Sequence, residues 1–500
     1  MTTRLRSLAL VAGLATALTE PAAAANWPVF GYDPARSGVD GSRGALSPSN
    51  VTRLRARWQI SLGAVADSTP ILLEHVKAAG VSRSMLFQTT TDGVTLGIDA
   101  NSGRILWRFK TPPTSRGTGG FSMSGFFQKA VFGIKITNST PAADPSGLSL
   151  YAPGLDGFVH KLDAASGKEL AAPGFPARVT LLPETEKLAS ALNVANGYLY
   201  ATTSGYNGDA EPYDGHVVSV RLRDGATSVF NSLCSRERTL PTADSCPQGR
   251  SGIWSRGGAV VDPEPAMRGR VYAATGNGAF DADTGGQDYG DSVLALSADL
   301  TTRLGNYTPA NFKALDDADV DLGSTSPALL PRQPASRTPL MLVQGGKDEV
   351  LSLVNRAPLP GVGGELQKVT LVGRLFSTPA VWTDSAKRAW VFLGMSDEVD
   401  AFRLATDASG ASRLVRVWRA PAGHTERQGT SPVVSNGFVF DAFDGAIVAL
   451  DAQNGHTLWS SARHGAGKTI GPVHWESPIV VNGWVYCSDQ NGNLTAYALQ

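Results

Sequence analysis

The stretch that decides the fold runs from Asp444 to Trp459 and reads Asp-Gly-Ala-Ile-Val-Ala-Leu-Asp-Ala-Gln-Asn-Gly-His-Thr-Leu-Trp. Asp444-Gly445 predicts a turn, because glycine accepts a positive φ and aspartate hydrogen-bonds its own backbone. The apolar residues 447–450 predict a short strand. A second turn then leads into a strand that carries Trp459, an aromatic side chain suited to packing against a neighbouring unit.

The same pattern occurs at Asp92–Trp107 and, ending in leucine, at Asp156–Leu170, which predicts a repeat protein. A second marker, a small residue followed by proline or alanine, opens a predicted strand eight times. These markers are Thr69-Pro70, Thr140-Pro141, Ser190-Ala191, Gly258-Ala259, Ser326-Pro327, Thr378-Pro379, Ser431-Pro432 and Ser477-Pro478. We therefore predict an all-β fold, an eight-bladed β-propeller of four-stranded antiparallel blades, with seven blades as the alternative.

The two ends of the chain predict how the ring closes. Residues 54–63, centred on Trp58, read as the second half of a repeat whose first half is missing. Residues 491–499 supply a first half and then stop. We predict that the N-terminal strand completes the last blade, which leaves no long open sheet edge.

Composition and the first residues indicate an exported protein. The 44 basic and 44 acidic residues balance, which argues against nucleic acid or an anionic membrane surface as the main partner. A basic start, an apolar run over residues 7–18 and three alanines before Asn26 predict a signal peptide over residues 1–25. The apolar run is too short for a membrane helix of about 20 residues, and no lipoprotein cysteine follows it. We expect one propeller domain over residues 26–500, periplasmic or secreted, monomeric and without a membrane span.

The cysteines fit an oxidising compartment. Cys234 and Cys246 flank a polar insert and predict a disulfide, whereas Cys487 lies in an apolar strand and predicts core packing. No Cys-x-x-Cys-His sequence is present, so covalently attached haem is not expected. The longest inserts fall in blades one to four, where loops on one face would carry the function. They are residues 108–128, 207–213, 231–254, 280–291 and 307–325.

The repeats resemble those of the quinoprotein, or PQQ-binding-like, propellers over nearly the whole mature chain. That family includes dehydrogenases that use pyrroloquinoline quinone (PQQ) and non-catalytic outer-membrane assembly scaffolds. In the dehydrogenases PQQ lies on the propeller axis above a tryptophan, and Ca²⁺ binds its carboxylate and quinone oxygens. A glutamate and an asparagine help to hold the calcium, an aspartate is the base, and a lysine or arginine contacts the quinone.

Three segments resemble parts of that site. Residues 271–278 resemble the strand ending in Thr-Gly-Asn, which implies Asn277 as a calcium ligand, or else a turn asparagine. Gly252-Ile253-Trp254 resembles the segment that supplies the aromatic platform, so Trp254 is either that platform or core packing. Residues 345–348 resemble the strand whose cation touches the quinone, which implies this role for Lys347; an exposed turn lysine is the alternative.

Residues 315–321 resemble the Asp-rich loop of the family, which implies Asp319 or Asp317 as the base and Asp319 as a calcium ligand. In an extended chain Asp317, Asp319 and Asp321 would point the same way, so their repulsion asks for a cation or for solvent. A solvated acidic loop is the alternative.

Other positions depart from the family pattern. The metal-binding glutamate has no clean match; Glu211 is the nearest candidate and Asp209 the next. The vicinal cysteine pair that covers PQQ in many members is missing, and the absence of a fused cytochrome implies a separate electron acceptor. His424 and His474 precede the Ser-Pro strands of the last blades, and loop histidines of this kind are usually structural or solvated.

Two functions follow as hypotheses. The first is a PQQ- and Ca²⁺-dependent dehydrogenase of an alcohol or a sugar, in which Asp319 or Asp317 takes the hydroxyl proton and Lys347 supports the quinone oxygen. The second is a non-catalytic scaffold whose loops bind a protein or a cell-envelope polymer. A propeller that keeps Ca²⁺ only structurally lies between them.

Overall fold

The computed structural model describes residues 25–41, 44–111, 135–206, 211–421, 428–463 and 465–500. The strands in these ranges form eight small sheets arranged as the blades of one ring. The all-β, eight-bladed propeller is confirmed, and the seven-bladed alternative is wrong. The predicted signal peptide lies outside the described residues, apart from Ala25.

Two strands precede the first blade in the chain, and each blade contains four main strands. The N-terminal strands are β1 (Val39–Asp40) and β2 (Leu54–Ser61). Blade 1 contains β3 (Ile71–Ala78), β4 (Val81–Thr89), β5 (Val94–Asp99) and β6 (Ile105–Lys110). Blade 2 contains β7 (Ala142–Ala143), β8 (Ser149–Pro153), β9 (Phe158–Asp163) and β10 (Ala177–Arg178).

In the described residues, additional strands or a helix accompany blades 3 to 5. Blade 3 contains β11 (Glu186–Leu188) and β12 (Asn193–Ala195), which both pair with β13 (Tyr198–Gly205), followed by β14 (His216–Arg221) and β15 (Thr227–Asn231). Blade 4 contains β16 (Val260–Val261), β17 (Val271–Ala274), β18 (Val293–Leu296) and β19 (Arg303–Thr308). A helix, α1 (Phe312–Asp317), leads into blade 5, which contains β20 (Ala328–Leu329), β21 (Met341–Gln344), β22 (Val350–Asn355) and β24 (Gln367–Thr370); β23 (Gly361–Val362) joins β19 instead.

The last three blades are regular. Blade 6 contains β25 (Ala380–Thr383), β26 (Ala389–Gly394), β27 (Glu398–Thr406) and β28 (Ser412–Pro421). Blade 7 contains β29 (Val433–Ser435), β30 (Phe438–Phe443), β31 (Ala446–Asp451) and β32 (Thr457–Ser460), with β1 parallel to β29. Blade 8 contains β33 (Ile479–Val481), β34 (Trp484–Ser488) and β35 (Asn493–Leu499), and β2 is its fourth strand. Single-turn 3₁₀ helices lie at Val51–Arg53, Pro265–Met267, Ala282–Thr284 and Leu322–Ser324.

The ring closes as predicted. β2 runs antiparallel to β35, with Leu54 opposite Leu499 and Ser61 opposite Asn493. Hydrogen bonds between the two ends of the chain therefore hold the circle shut. In every blade the second residue of the marker lies one or two residues before a strand. These strands are β3, β7, β12, β16, β20, β25, β29 and β33. Counting the markers therefore counted the blades.

The segment before β1 crosses one end of the axis. Trp27 is fully buried and exchanges two backbone hydrogen bonds with Leu72 of β3, at 2.8 and 2.9 Å. Arg36 is 1% exposed and donates to four backbone carbonyls contributed by the N-terminal segment and blades 3 and 4. A buried guanidinium needs such acceptors, and they tie the segment to blades 3 and 4, whereas Trp27 ties it to blade 1.

The repeated tryptophans join neighbouring blades. The indole N–H of Trp107, in blade 1, donates over 3.1 Å to the carbonyl of Ala164, in the repeat turn of blade 2. The glycine of that turn, Gly167, lies so close that a Cβ there would be 2.4 Å from the Trp107 ring. The same arrangement links Trp58 to Ala100 and Gly103, and Trp418 to Ala452 and Gly455. The Asp-Ala-x-x-Gly turn therefore receives the preceding blade's tryptophan.

The cysteine predictions are confirmed. Cys234 and Cys246 form a disulfide whose Cα atoms are 5.8 Å apart, and Cys487 is buried in β34. Among the described residues no helix is long and apolar enough to cross a membrane.

We expect Gly167→Ala to destabilise the protein far more than Gly147→Ala. Both glycines have φ of +69°, so both substitutions carry the left-handed backbone cost of about 1–2 kcal/mol. Nothing lies within 4 Å of a Cβ at Gly147, whereas the Trp107 ring blocks one at Gly167. Overpacking should add roughly 1–3 kcal/mol to the loss of unfolding free energy for Gly167→Ala. Urea unfolding of the two variants measures the difference. Equal losses of unfolding free energy would contradict the close packing of the Trp107 ring on this turn.

Candidate functional site

Trp254 lies at the axis, in the segment that leads into blade 4. Its half-buried indole stacks on Trp475, with ring centroids 5.8 Å apart and an interplanar angle of 23°. The ammonium nitrogen of Lys347 is 5.3 Å from the centroid of Trp254. The two tryptophans therefore form an aromatic surface with a cation beside it, a combination that binds flat anionic rings.

Asn277 and Lys347 meet at Asp321. The Asn277 backbone N–H donates to Asp321 Oδ1 over 2.7 Å, and Lys347 forms an ion pair with Asp321 Oδ2. Gly276 permits this approach, since a Cβ there would lie 2.6 Å from Asp321 Oδ1 and 3.0 Å from Trp254 Nε1. The side-chain amide of Asn277 makes no hydrogen bond to a residue that the structure describes. Three of the segments that resemble the family site therefore meet around Asp321, which the sequence analysis named only as one member of the acidic loop.

The extended course predicted for the acidic loop is wrong. Asp317 is the last residue of α1 and is exposed, so it does not share a face with Asp321. Asp319 has a φ of +52°, and its side chain is 66% exposed, 3.5 Å from Lys347 Nζ. Because α1 changes the direction of the chain, Asp321 is the one member of these three aspartates that is buried, at 3% exposed.

The carboxylate of Glu211 is paired with an arginine. Its Oε1 accepts a hydrogen bond from Arg250 Nε over 2.6 Å, and its side chain is 54% exposed. Asp209 and His424 lie outside the described residues. Within the described ranges no group of three or more His, Cys, Asp or Glu side chains is arranged to hold a metal ion. By themselves, these residues do not make a calcium site.

A cavity of about 150 Å³ opens beside Trp254. Its polar and aromatic lining comes from blades 2, 3, 4, 7 and 8 or the segments that lead into them, and consists of Asn138, Lys187, Trp254, Gln428, His474 and Trp475. Lys187 is 9% exposed and donates to Asn138 Oδ1 over 2.7 Å. The cavity wall thus offers a buried ammonium and amide groups beside aromatic rings, a mixture of apolar surface and a few polar groups that is typical of small-molecule sites.

Two fully buried carboxylates lie behind this wall. Gln490 Nε2 donates to Asp67 Oδ1 and to Glu476 Oε1, each over 2.6 Å. Burial opposes ionisation of Asp67, but His474, Gln490 and Lys187 together hold the pKa of Asp67 below its usual value. Burial and the neighbouring Asp67 raise the pKa of Glu476. Asp67 therefore carries the negative charge of the pair.

Arg256 packs against Trp475 of the cavity wall. Its guanidinium carbon is 4.6 Å from the Trp475 centroid, and Nη2 donates to the carbonyls of Gly429 and His474 over 2.6 and 2.7 Å. The residue is 2% exposed, and Nε and Nη1 have no partner among the described residues. Burial lowers the pKa of Arg256 to about 10, so it remains charged at neutral pH.

Residues 27–357, two thirds of the chain, match the family described as glucose/ethanol/alcohol dehydrogenase, beta-propeller domain. The chain belongs to this family of PQQ-binding-like propellers. Residues 404–500 match a second description, outer membrane protein assembly factor BamB. No curated protein matches the chain.

Solved structures of quinoproteins share the fold of the chain. The quinohemoprotein alcohol dehydrogenase of Pseudomonas putida is 15% identical, with a TM-score of 0.64 over 95% of this chain and 80% of its own. A europium-containing methanol dehydrogenase is also 15% identical, with a TM-score of 0.63 over 96% of this chain and 99% of its own. The quinohemoprotein alcohol dehydrogenase of Comamonas testosteroni is 15% identical, with a TM-score of 0.62 over 95% of this chain and 80% of its own. At such identity the likeness concerns the fold.

Sequence reasoning missed most of the cavity wall. Asn138, Lys187 and Trp475 were not singled out, and His474 was expected to be structural or solvated. A signal for part of the set exists, because Asp67, Asn138 and Glu476 each stand one or two residues before the small residue of a Ser/Thr-Pro marker. Residues just before these markers face the axis, so they can be identified once the repeat is known.

We expect Asp441→Asn to remove a pH dependence of stability. Asp441 is fully buried, and burial raises its pKa to about 7 although Thr430, Ala442 and Arg256 favour the charged form. Between about pH 4 and pH 7 the folded state holds a proton that the unfolded state has lost, so the free energy of unfolding falls as pH rises through this window.

Asparagine stands in for the protonated acid, so the variant should gain about 2–4 kcal/mol over the natural protein by pH 7, with little change above it. Urea unfolding between pH 4 and 8 measures this gain. Asp283→Asn, at an exposed acid in the 3₁₀ helix Ala282–Thr284, is the control. A constant difference across the range would contradict the prediction.

Proposed function

We propose that the protein is an exported quinoprotein dehydrogenase that binds PQQ on the propeller axis and oxidises an alcohol or a sugar. The observation that carries the proposal is the convergence of Trp254, Lys347 and Asn277 around Asp321 beside the axial cavity. Family membership supports the same assignment, and the titrations below test it.

The chemistry of the donor set fits PQQ, which is flat and carries several carboxylates. Trp254 and Trp475 would contact the ring face, and Lys187 and Asn138 would donate to a carboxylate. Bound PQQ supplies an acceptor for the hydride of the carbinol carbon. Lys347 would stabilise negative charge beside that acceptor, because its ammonium group lies over the Trp254 ring, where Asp321 and Asp319 hold it in place.

Asp319 and Asp317 remain the acidic candidates for the base, and neither belongs to the cavity lining. No haem-attachment motif occurs in the sequence, so we propose a separate electron acceptor. Residues 1–25 would be a signal peptide and residues 26–500 one domain, giving a periplasmic or secreted monomer.

A second candidate function is a scaffold that binds a protein or a cell-envelope polymer. The match of residues 404–500 to an assembly-factor description favours it. This function needs no ligand on the axis, so the quinone titration separates the two proposals.

We expect the mature protein to bind PQQ stoichiometrically and to reduce a dye in the presence of a simple alcohol or sugar. Trp254→Ala and Lys347→Gln should each weaken PQQ binding by roughly tenfold or more, because a stacking surface and a charge-assisted contact each contribute about 1–3 kcal/mol. Tryptophan fluorescence quenching measures the affinity. Asp283→Asn serves as the control, since Asp283 is exposed outside the cavity lining. No binding by the natural protein would leave the scaffold function.

We expect calcium to bind together with PQQ and not alone. Asp321 is already paired with Lys347, and the described residues form no cluster able to hold a metal ion, so an ion would need oxygen atoms from the quinone to complete its 6–8 ligands. Calorimetric titration with CaCl₂, with and without PQQ, measures this. Asn277→Ala and Asp319→Ala should weaken the calcium bound in the presence of PQQ. Equal calcium affinity without the quinone would contradict the expectation.

A further inference from the structure

His474 lines the axial cavity and has a buried carboxylate behind it. Its Nδ1 is 3.3 Å from Asp67 Oδ2, the carboxylate side chain is fully buried, and the imidazole is 18% exposed. Its Nε2 makes no hydrogen bond to a residue within the described ranges. One ring nitrogen therefore faces an acceptor inside the protein while the other is left for the cavity.

The loop that carries His474 is fixed at both backbone groups. The N–H of His474 donates to Glu476 Oε2 over 2.6 Å, and that of Trp475 to the same oxygen over 3.0 Å. The carbonyl of His474 accepts from Arg256 Nη2 over 2.7 Å. A histidine held in this way is oriented before any ligand arrives, unlike a solvated loop histidine.

The charged groups around the imidazole determine which nitrogen carries the proton. Asp67 also accepts from Asn138 and Gln490, over 3.0 and 2.6 Å, and Lys187 and Arg256 supply positive charge nearby. Glu476 is directed at the loop backbone and at Gln490. An ionised carboxylate can only accept, so the Nδ1 that faces it holds the hydrogen and Nε2 presents a lone pair to the cavity.

We propose that His474, positioned by Asp67, is the proton acceptor for the hydroxyl group of the substrate in the axial cavity. This inference rests on the proposed dehydrogenase function and names the base within it. The O–H and carbinol C–H bonds break and the carbonyl π bond forms. The proton goes to Nε2, and the hydride carries both electrons to the bound quinone, which is reduced as the alcohol is oxidised.

The first test reads the imidazole directly and needs no turnover. The mature protein is labelled with ¹⁵N-histidine, and His474→Gln identifies the resonance among the seven histidines. In the neutral form of the ring we expect hydrogen on Nδ1, and loss of this preference in Asp67→Asn, whose amide group can donate to Nδ1 instead. A ring with hydrogen on Nε2, unaffected by Asp67→Asn, would overturn the proposal.

The second test uses the PQQ-loaded protein. We expect His474→Gln to lower kcat for dye reduction by about 10²- to 10⁴-fold, the usual contribution of a general base, with PQQ affinity and the KM for the alcohol within threefold of the natural values. Added imidazole should restore part of the activity of His474→Ala. The control is His456→Gln, an exposed histidine in the turn between β31 and β32.

The outcomes separate the two proposals. Natural protein that does not bind PQQ would refute the dehydrogenase function and the base with it. Natural protein and His474→Gln that turn over at similar rates would refute the base alone. PQQ binding without any turnover by the natural protein would overturn both the enzyme assignment and the base.

Discussion

The hydrogen bond from a tryptophan to the repeat turn of the next blade sets the packing at three junctions of the ring, between blades 8 and 1, 1 and 2, and 6 and 7. It explains the tryptophan and the glycine of the repeat, and the other turn residues support it. The aspartate of the turn caps backbone N–H groups, as Asp99 does for Asn101 and Ser102 over 3.1 Å each. The alanine offers its carbonyl, and the glycine leaves room for the indole. A local sequence therefore encodes the spacing between blades as well as the hairpin itself.

Spacing alone does not make a closed ring, because the last blade lacks a strand until the chain ends meet. The pairing of β2 with β35 supplies it, and contacts across this seam involve residues from opposite ends of the chain. Gln88 Nε2 donates to Ser488 Oγ over 2.7 Å, across 400 residues of sequence. Asp67 and His474 are 407 residues apart. The contact between His474 of the cavity wall and Asp67 behind it therefore exists only in the closed ring.

The distance along the chain between contacting residues explains which features the sequence could predict. Blade number and closure depend on short local patterns, so both were available from the repeats. Trp254, Asn277 and Lys347 were available because each lies in a segment that resembles the family. The course of the acidic loop was not, since formation of α1 depends on its packing, where Phe312 contacts Phe280 with centroids 4.7 Å apart. The ion pair of Glu211 with Arg250 was not predictable either, because the two residues are 39 positions apart in the chain.

The electrostatics of the axis argue for a bound ligand. Arg256 is buried with two nitrogens lacking a partner in the described protein, and Asp441 is buried with one such oxygen. Burying charges without full pairing costs several kcal/mol, and well-packed apolar residues in their place are often neutral or stabilising. A propeller needed only as a rigid scaffold gains nothing from this arrangement. Perturbed ionisable groups gathered around a cavity are instead typical of sites that bind and transform small molecules, so the cost of the polar axis favours the dehydrogenase over the scaffold.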